Sequence, residues 1–490
     1  MRPETYNQNK ANTQKEREIL TPDICVIGGG SGGLSVAAAA AAFGVPVVLI
    51  EGGKMGGDCL NYGCVPSKAI IAAGKAAHTM RHADKFGVKS VEPEVNFKKV
   101  HDHVHNVIGT IAPNDSVERF TSLGVKVIEA YAKFKDGKTV VAGDYEIRAR
   151  RFVIATGSRA FVPPIPGLEE VNYLTNENLF DETKRLGHLI VVGGGPIGME
   201  MAQAHRRLGS QVTVIEGAKA LGKDDPELTA IALKNIRGDG VEILEETKVV
   251  KVSQKSKTRV QVDIEQNGEA SSVVGTHILL ATGRAANVDG MGLEEAGVDY
   301  DRKGIKVGKD LRTSNKRVYA IGDVAGGLQF THVAGYHAGL VIQSILFRVA
   351  GKENTGLVPW ATYTDPEIAH VGQTEEQAAN ETKDITVLRW PYAENDRAQA
   401  ERKTSGLVKI VTDKKGKILG ASIVGASAGE MINIFALAMS KKMKVSDLRG
   451  FIAPYPTMTE ITKRASTQFS VPMTRKPWVR KLIAFLRKFG

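Results

Sequence analysis

Short apolar runs that stop at glycine set the rhythm of this chain. Asp23–Ile27 is too short for a helix and reads as a buried strand. Gly28-Gly29-Gly30-Ser31-Gly32-Gly33 follows it, and the alanine-rich run Leu34–Phe43 then predicts a helix. Val45–Ile50 predicts a second strand, ending at Glu51. The same order returns further on. Leu189–Val192 leads into Gly193-Gly194-Gly195-Pro196-Ile197-Gly198, a helix over Met199–Leu208, a strand over Gln211–Ile215 and then Glu216. From first glycine to terminal glutamate each copy spans 23 positions.

A strand, a glycine turn, a helix and a strand ending in an acid form a dinucleotide-binding unit. The first glycine makes the turn, the second lets backbone approach a pyrophosphate, and the third lets helix and strand pack closely. The pyrophosphate belongs at the helix N-terminus, where N–H groups and the dipole attract it. The glutamate accepts a ribose hydroxyl. The chain therefore carries two such units. Glu216 repels a 2′-phosphate, and Gly217, Ala218 and Lys219 offer no arginine pocket, so NADH is expected over NADPH at the second.

Between the two units the pattern predicts a largely helical stretch, clearest over Pro66–Arg81 and Phe97–Ile111. Val153–Ser158 ends in Ala-Thr-Gly-Ser and Ile278–Arg284 in Ala-Thr-Gly-Arg; both read as strands at domain crossings. Val318–Gly322 reads as a strand that carries Asp323 at its end. From about Pro359 to Phe469, strands over Gly406–Thr412 and Gly420–Val424 and a helix over Ala428–Ser440 predict a separate domain.

Composition narrows the class. The chain has 490 residues, 42% hydrophobic and 24% charged, which fits several soluble domains. No signal peptide is expected, and the most apolar run, Leu34–Ile50, is broken by Gly44 and Pro46. Three cysteines cannot frame a secreted disulfide scaffold, and the close pair Cys59 and Cys64 suggests redox or metal chemistry. In an ideal helix residues five apart have Cα atoms about 8.6 Å apart, and a disulfide needs less than about 7 Å. A bond between them would require a bend, which Gly63 permits, with Pro66 at the start of the next helix. A cysteine near a helix N-terminus and a lysine has a lowered thiolate pKa. Zinc would need two more ligands, and none has suitable spacing. His101, His103 and His105 lack an acidic or cysteine partner in register and read as a solvated helix surface, so no metal site is expected.

The segment Gly56-Gly57-Asp58-Cys59-Leu60-Asn61-Tyr62-Gly63-Cys64-Val65-Pro66-Ser67-Lys68 resembles the redox-disulfide motif of the class I pyridine nucleotide-disulfide oxidoreductases. That FAD-dependent family includes dihydrolipoamide dehydrogenase, glutathione reductase and mercuric reductase. The resemblance extends from about Asp23 to Phe469. It implies an α/β fold: two Rossmann-like dinucleotide-binding domains, for FAD and NAD, plus an α+β C-terminal dimerisation domain. The expected division is a flexible tail over 1–20, an FAD domain over 21–158 and 285–355, an NAD(P)H domain over 159–284, an interface domain over 356–470 and a basic tail over 471–490.

Carried onto this chain, the resemblance assigns Gly28, Gly30, Gly33, Glu51, Gly57, Gly157 and Asp323 to FAD. It assigns Gly193, Gly195, Gly198, Glu216 and Gly283 to NADH. Cys64 is implied as the thiol facing the flavin and Cys59 as the interchange thiol facing substrate. Lys68 and Glu200 are implied to pair near the flavin. Electrons would pass from NADH through FAD to a Cys59–Cys64 disulfide and on to a small-molecule or thiol substrate. The implied assembly is a homodimer whose active site is shared across subunits.

The chain also departs from the family pattern. Where disulfide reductases usually carry His-Pro-Thr-x-x-Glu, this chain has Tyr455-Pro456-Thr457-Met458-Thr459-Glu460. Tyrosine, with an ordinary pKa of about 10, does not readily take a proton at neutral pH. Oxidation of a dithiol is therefore disfavoured, while reduction of a disulfide, thiol-bound metal or related electrophile is expected. The tyrosine resembles the mercuric-reductase-like branch, but no vicinal cysteine pair closes this chain, since Cys25 is the only other cysteine. Ala286 stands where the family often has proline. Alternatives are a dihydrolipoamide dehydrogenase-like enzyme and a membrane-surface NADH:quinone diaphorase.

The net charge of +11 falls to +5 without Pro472–Gly490, which holds Arg475, Lys476, Arg480, Lys481, Arg487 and Lys488 and no acid. Trp478, Leu482, Phe485 and Phe489 share one stripe of a helix there. The stripe suits two arrangements, an anionic membrane surface or docking on its own domain or dimer partner. Nucleic acid is not expected, because the body is only mildly basic. The expected location is cytoplasmic, with peripheral contact on the inner membrane face left open by the tail.

Overall fold

The computed structural model describes residues 17–489. The chain divides into two compact units. The first takes in residues up to Gly57, Ala112–Ser158 and Ala286–Glu353; the second takes in Asp58–Ile111, Arg159–Ala285 and the chain from Asn354.

The first unit is built on a five-stranded parallel sheet, ordered Val318–Ala320, Arg151–Ile154, Ile24–Ile27, Val47–Glu51, Lys126–Glu129. Its strands are apolar on both faces, as a sheet covered on both sides requires. Ile24 and Val26 pack with Leu34, Val36, Ala37 and Ala40 of the helix Ser31–Ala42 and with Val341 and Ile345 of the helix Thr331–Phe347. Cys25 and Ile27 face the other way, into a core with Phe134, Val140 and Ile147. Those three come from a small four-stranded sheet of Glu18–Leu20, Tyr145–Ile147, Thr139–Ala142 and Ala132–Asp136.

That small sheet corrects two expectations. The stretch between the glycine units is not largely helical throughout, because Ala132–Ile147 forms three strands of only three to five residues, two of them interrupted by charged positions. The end of the expected flexible tail over 1–20 is also a strand. Glu18–Leu20 pairs in parallel with Tyr145–Ile147, anchored by the partly buried Leu20. Residues 1–16 lie outside the described residues.

In the second unit a four-stranded parallel sheet runs Glu242–Leu244, Gln211–Ile215, His188–Val192, His277–Leu280. Leu189 and Val191 face helices, while Ile190 and Val192 face Val252, Val260, Val262 and Ile264 of a three-stranded antiparallel sheet. Asp58–Ile111 belongs to this unit, although the sequence suggested residues 21–158 as one piece. The helix Cys64–Arg81 lies so close to the helix Pro196–Arg207 that a Cβ on Gly74 would be 3.1 Å from the Ala204 carbonyl oxygen. Ala69, Ile70, Phe97 and Val104 join Met199 and Ala202 in one core.

The last part of this unit is a five-stranded antiparallel sheet carrying the helices Ala428–Ser440 and Glu460–Thr467. It is tied to the parallel-sheet part by a buried ion pair, Lys409 Nζ to Asp225 at 2.7 Å. No helix among the described residues is long and apolar enough to cross a membrane.

Candidate active site

The two glycine units repeat one geometry to within a few tenths of an ångström. Gly28 and Gly193 both have φ +110°, a conformation that favours glycine. A Cβ on Gly28 would lie 2.3 Å from the Ala155 carbonyl oxygen, and one on Gly193 2.4 Å from that of Ala281. The third glycines are as constrained: a Cβ would lie 1.8 Å from the Gly28 carbonyl at Gly33 and 2.0 Å from the Gly193 carbonyl at Gly198. The middle glycines are not crowded. Gly30 would meet only Gly57 Cα at 3.8 Å, and Gly195 nothing within 4 Å. Gly30 and Gly195 cap their helices without a side-chain hydrogen bond. The N-terminal N–H groups therefore open toward space that only glycine leaves clear, which fits a pyrophosphate.

The terminal acids match too. Glu51 accepts from the N–H groups of Gly29 at 2.5 Å and Gly53 at 2.6 Å. Glu216 accepts from Gly194 at 2.6 Å and Ala218 at 2.8 Å. Each carboxylate is thus fixed at the strand end beside the glycine turn. Lys219, three residues after Glu216, pairs with Glu246 at 3.1 Å.

The Ala-Thr-Gly segments prove to be part of these units. Ala155 N–H donates to the Ile27 carbonyl and Ala281 N–H to that of Val192, so each segment lies against its own glycine turn. Gly157 and Gly283 both have positive φ, at +67° and +131°.

Asp323 sits on a short turn after the strand Val318–Ala320 and accepts from the Ser158 hydroxyl at 2.5 Å. Behind it, the N–H of Gly322 donates to Nδ1 of the buried His337, whose Nε2 donates to Glu353 at 2.8 Å. His337 and Glu353 went unnoticed in the sequence, and Ser158 was read only as the end of a strand. Only the Ser158 position next to Gly157 offered a signal.

The cysteines lie on two consecutive helices, Gly57–Asn61 and Cys64–Arg81. Cys59 is half-buried on the first, and Cys64 is exposed as the first residue of the second. Gly63 makes the break between them. A Cβ there would lie 2.9 Å from the Asp58 carboxylate and 3.4 Å from Cys59 Cα. Asp58 anchors the short helix, meeting Arg284 at 3.1 Å and the Asn176 amide at 2.9 Å. Cys25 is wholly buried in its strand, and burial pushes its thiol pKa up.

Lys68, one turn into the second cysteine helix, pairs with Glu200 at 2.9 Å. Glu200 is 5% exposed and its other oxygen accepts from the Tyr363 N–H at 2.8 Å. The Lys68 ammonium also lies 4.4 Å from the centre of the Tyr363 ring. Burial raises the Tyr363 pKa, so its hydroxyl stays protonated. Tyr363, too, went unnoticed in the sequence.

Tyr455 is 69% exposed and donates to Asp396 at 2.7 Å. That bond, with the charge of Asp396, raises the phenol's pKa. Glu460 pairs with Arg464 at 2.9 Å. Of the three histidines, His101 contacts Asp102 and His105 the Phe180 carbonyl. Among the described residues no group of three or more His, Cys, Asp or Glu side chains is placed to hold a metal.

Comparison with known proteins agrees with this geometry. Family models described as pyridine nucleotide-disulphide oxidoreductase and its dimerisation domain match residues 22–338 and 358–466. The chain is 34% identical to a mercuric reductase of Bacillus cereus over 92% of its own length and 72% of that protein's. It is 34% identical to a dihydrolipoyl dehydrogenase of Staphylococcus aureus over 91% and 96%. A solved Cu(II) complex of RclA, an HOCl-induced flavoprotein disulfide reductase from Escherichia coli, superposes with a TM-score of 0.82 at 28% identity, covering 92% of this chain and 99% of that one. Two dinucleotide units, a paired-cysteine segment and a dimerisation domain in this order make the chain a member of the class I pyridine nucleotide-disulfide oxidoreductases, FAD-dependent enzymes that use NAD(P)H.

Proposed function

We propose that the chain is a homodimeric NADH-dependent reductase that delivers electrons through Cys59 and Cys64 to a disulfide, a thiol-bound metal or a related electrophile. The supporting observation is the broken helix, which sets two cysteines around Gly63 with Cys64 at the head of an 18-residue helix. A thiolate there is favoured by the helix dipole. FAD, when bound, carries electrons from the nicotinamide to the thiol pair.

The chain's own groups do the rest. Gly28, Gly30, Gly33, Glu51, Gly57, Gly157 and Asp323 hold FAD, and Gly193, Gly195, Gly198, Glu216 and Gly283 hold NADH. Glu216 disfavours a 2′-phosphate, and Lys219 is turned to Glu246, which supports NADH over NADPH. Lys68 is held by Glu200 and provides a fixed basic group one turn beyond Cys64. Tyr455, from the partner subunit, donates a hydrogen bond rather than taking a proton, and Glu460 sits in the same segment. That chemistry favours reduction over dithiol oxidation. The Cu(II) complex of the structural relative makes a thiolate-bound metal one electrophile to try first.

The test is a stopped-flow panel with NADH against disulfides, Hg(II), Cu(II), quinones and dihydrolipoamide. Turnover that is lost in Cys59→Ser with flavin reduction intact supports the reading. Quinone reduction that survives Cys59→Ser instead supports a flavin diaphorase.

A further inference from the structure

The segment after Val471 takes no part in either nucleotide unit or in the cysteine site. Lys476 caps a helix over Pro477–Leu486, and Pro477 at its first position fixes the start. At about 100° per residue, Phe485, Trp478, Phe489, Leu482, Leu486, Val479 and Ile483 fall within one arc of about 160°. Arg487, Arg480, Lys488 and Lys481 fall within the opposite arc of about 120°, shared with Ala484 and with Pro477 of the first turn. No charged position falls within the apolar arc.

Among the described residues nothing closes over the apolar arc, of which only Val479 is half-buried. Trp478 is 56% exposed, Leu482 45%, Phe485 55% and Phe489 73%. From Pro472 to Phe489 every residue is exposed except the half-buried Val479. Docking on the chain's own domain is therefore not what the helix does in this structure.

Charge selects the occupant. Pro472–Gly490 carries six cations and no acid, and the rest of the chain is itself net +5. A second copy of this chain offers no excess of negative charge to meet those cations. An anionic bilayer surface offers both a headgroup layer for the basic arc and an acyl boundary for the aromatic one. The helix has 10 residues, far short of a membrane span.

We infer that Pro472–Phe489 is a peripheral anchor that lays this reductase on anionic lipid, with Trp478, Leu482, Phe485 and Phe489 entering the interface and Arg480, Lys481, Arg487 and Lys488 meeting the headgroups. It is independent of the substrate proposed above.

Flotation of the FAD-loaded full chain with vesicles tests this. Binding to mixed phosphatidylcholine–phosphatidylglycerol vesicles should exceed binding to phosphatidylcholine alone by about tenfold or more, and should weaken with added salt. It should be lost on truncation after Val471 and in the variant R480E/K481E/R487E/K488E, while NADH-dependent flavin reduction stays at the parent rate in both. Trp478 emission should shift to the blue on anionic vesicles, a shift absent in Trp478→Phe. Equal binding to both vesicle types, or binding that survives truncation, overturns the inference. So does a full chain that ignores vesicles while the truncated one falls to monomers, which would make the partner subunit the occupant.

Discussion

The Lys68 ammonium and the Glu200 carboxylate meet at 2.9 Å although 132 positions separate them in the chain. Glu200 is buried and serves two donors, Lys68 on one oxygen and the Tyr363 N–H on the other. Glu200→Gln keeps one acceptor but turns an amide toward the ammonium or the N–H. Leaving such a donor unmatched costs about 1–3 kcal/mol. The urea midpoint of the variant should fall accordingly. A midpoint equal to the parent's would mean that the pair is not formed in solution.

Gly198→Ala separates the two nucleotide units. The added Cβ would lie 2.0 Å from the Gly193 carbonyl, so the helix Pro196–Arg207 must shift away from its strand. Overpacking of this kind costs about 1–3 kcal/mol, which, expressed in NADH affinity at 1.4 kcal/mol per decade, is about 5- to 140-fold. FAD should be retained, because Gly33 and its turn are untouched. Stopped-flow reduction at varied NADH reads the effect; unchanged half-saturation with NADH would remove Gly198 from the nucleotide site.

The glycine units were legible in the sequence because every constraint on Gly28, Gly33, Gly193 and Gly198 comes from residues within their own strand, turn and helix or from an adjacent Ala-Thr-Gly segment. The cysteine bend was legible for the same reason, since Gly63 and Pro66 lie between and beside the residues they position. The His337–Glu353 support behind Gly322, and the Arg284 and Asn176 contacts of Asp58, were not. They join segments whose proximity only the fold creates. The small antiparallel sheets escaped because their strands are half-exposed. Glu269–Gly275, for example, has four exposed positions in succession and no apolar rhythm to read.

Tyr455 predicts a lopsided enzyme. Its hydroxyl is held as a donor to Asp396, which raises its pKa. General base catalysis contributes about 10²–10⁴-fold where a histidine supplies it. Dihydrolipoamide oxidation by this chain should therefore be slow relative to NADH-driven reduction. Tyr455→His should raise the oxidation rate toward that range and bring in a pH dependence near the ordinary imidazole pKa. Rapid dihydrolipoamide oxidation by the parent enzyme would refute the assignment.

His205 predicts how stability responds to acid. The imidazole is fully buried in the helix Pro196–Arg207, stacked 5.9 Å from Phe97, and neither ring nitrogen has a hydrogen-bond partner among the described residues. Burial lowers its pKa from 6.5 to about 4. The unfolded chain therefore takes up a proton at a higher pH than the folded one. Stability contributed by the neutral ring is complete above about pH 6.5 and is lost progressively as pH falls toward 4, by up to about 3 kcal/mol. His205→Phe keeps the stacking volume and removes the titrating group. Its urea midpoint should match or exceed the parent's at pH 7, where two unpaired ring nitrogens are gone. Between pH 6.5 and 4 it should fall less steeply than the parent's. Parallel slopes for the two proteins would show that His205 is not what makes the fold acid-sensitive.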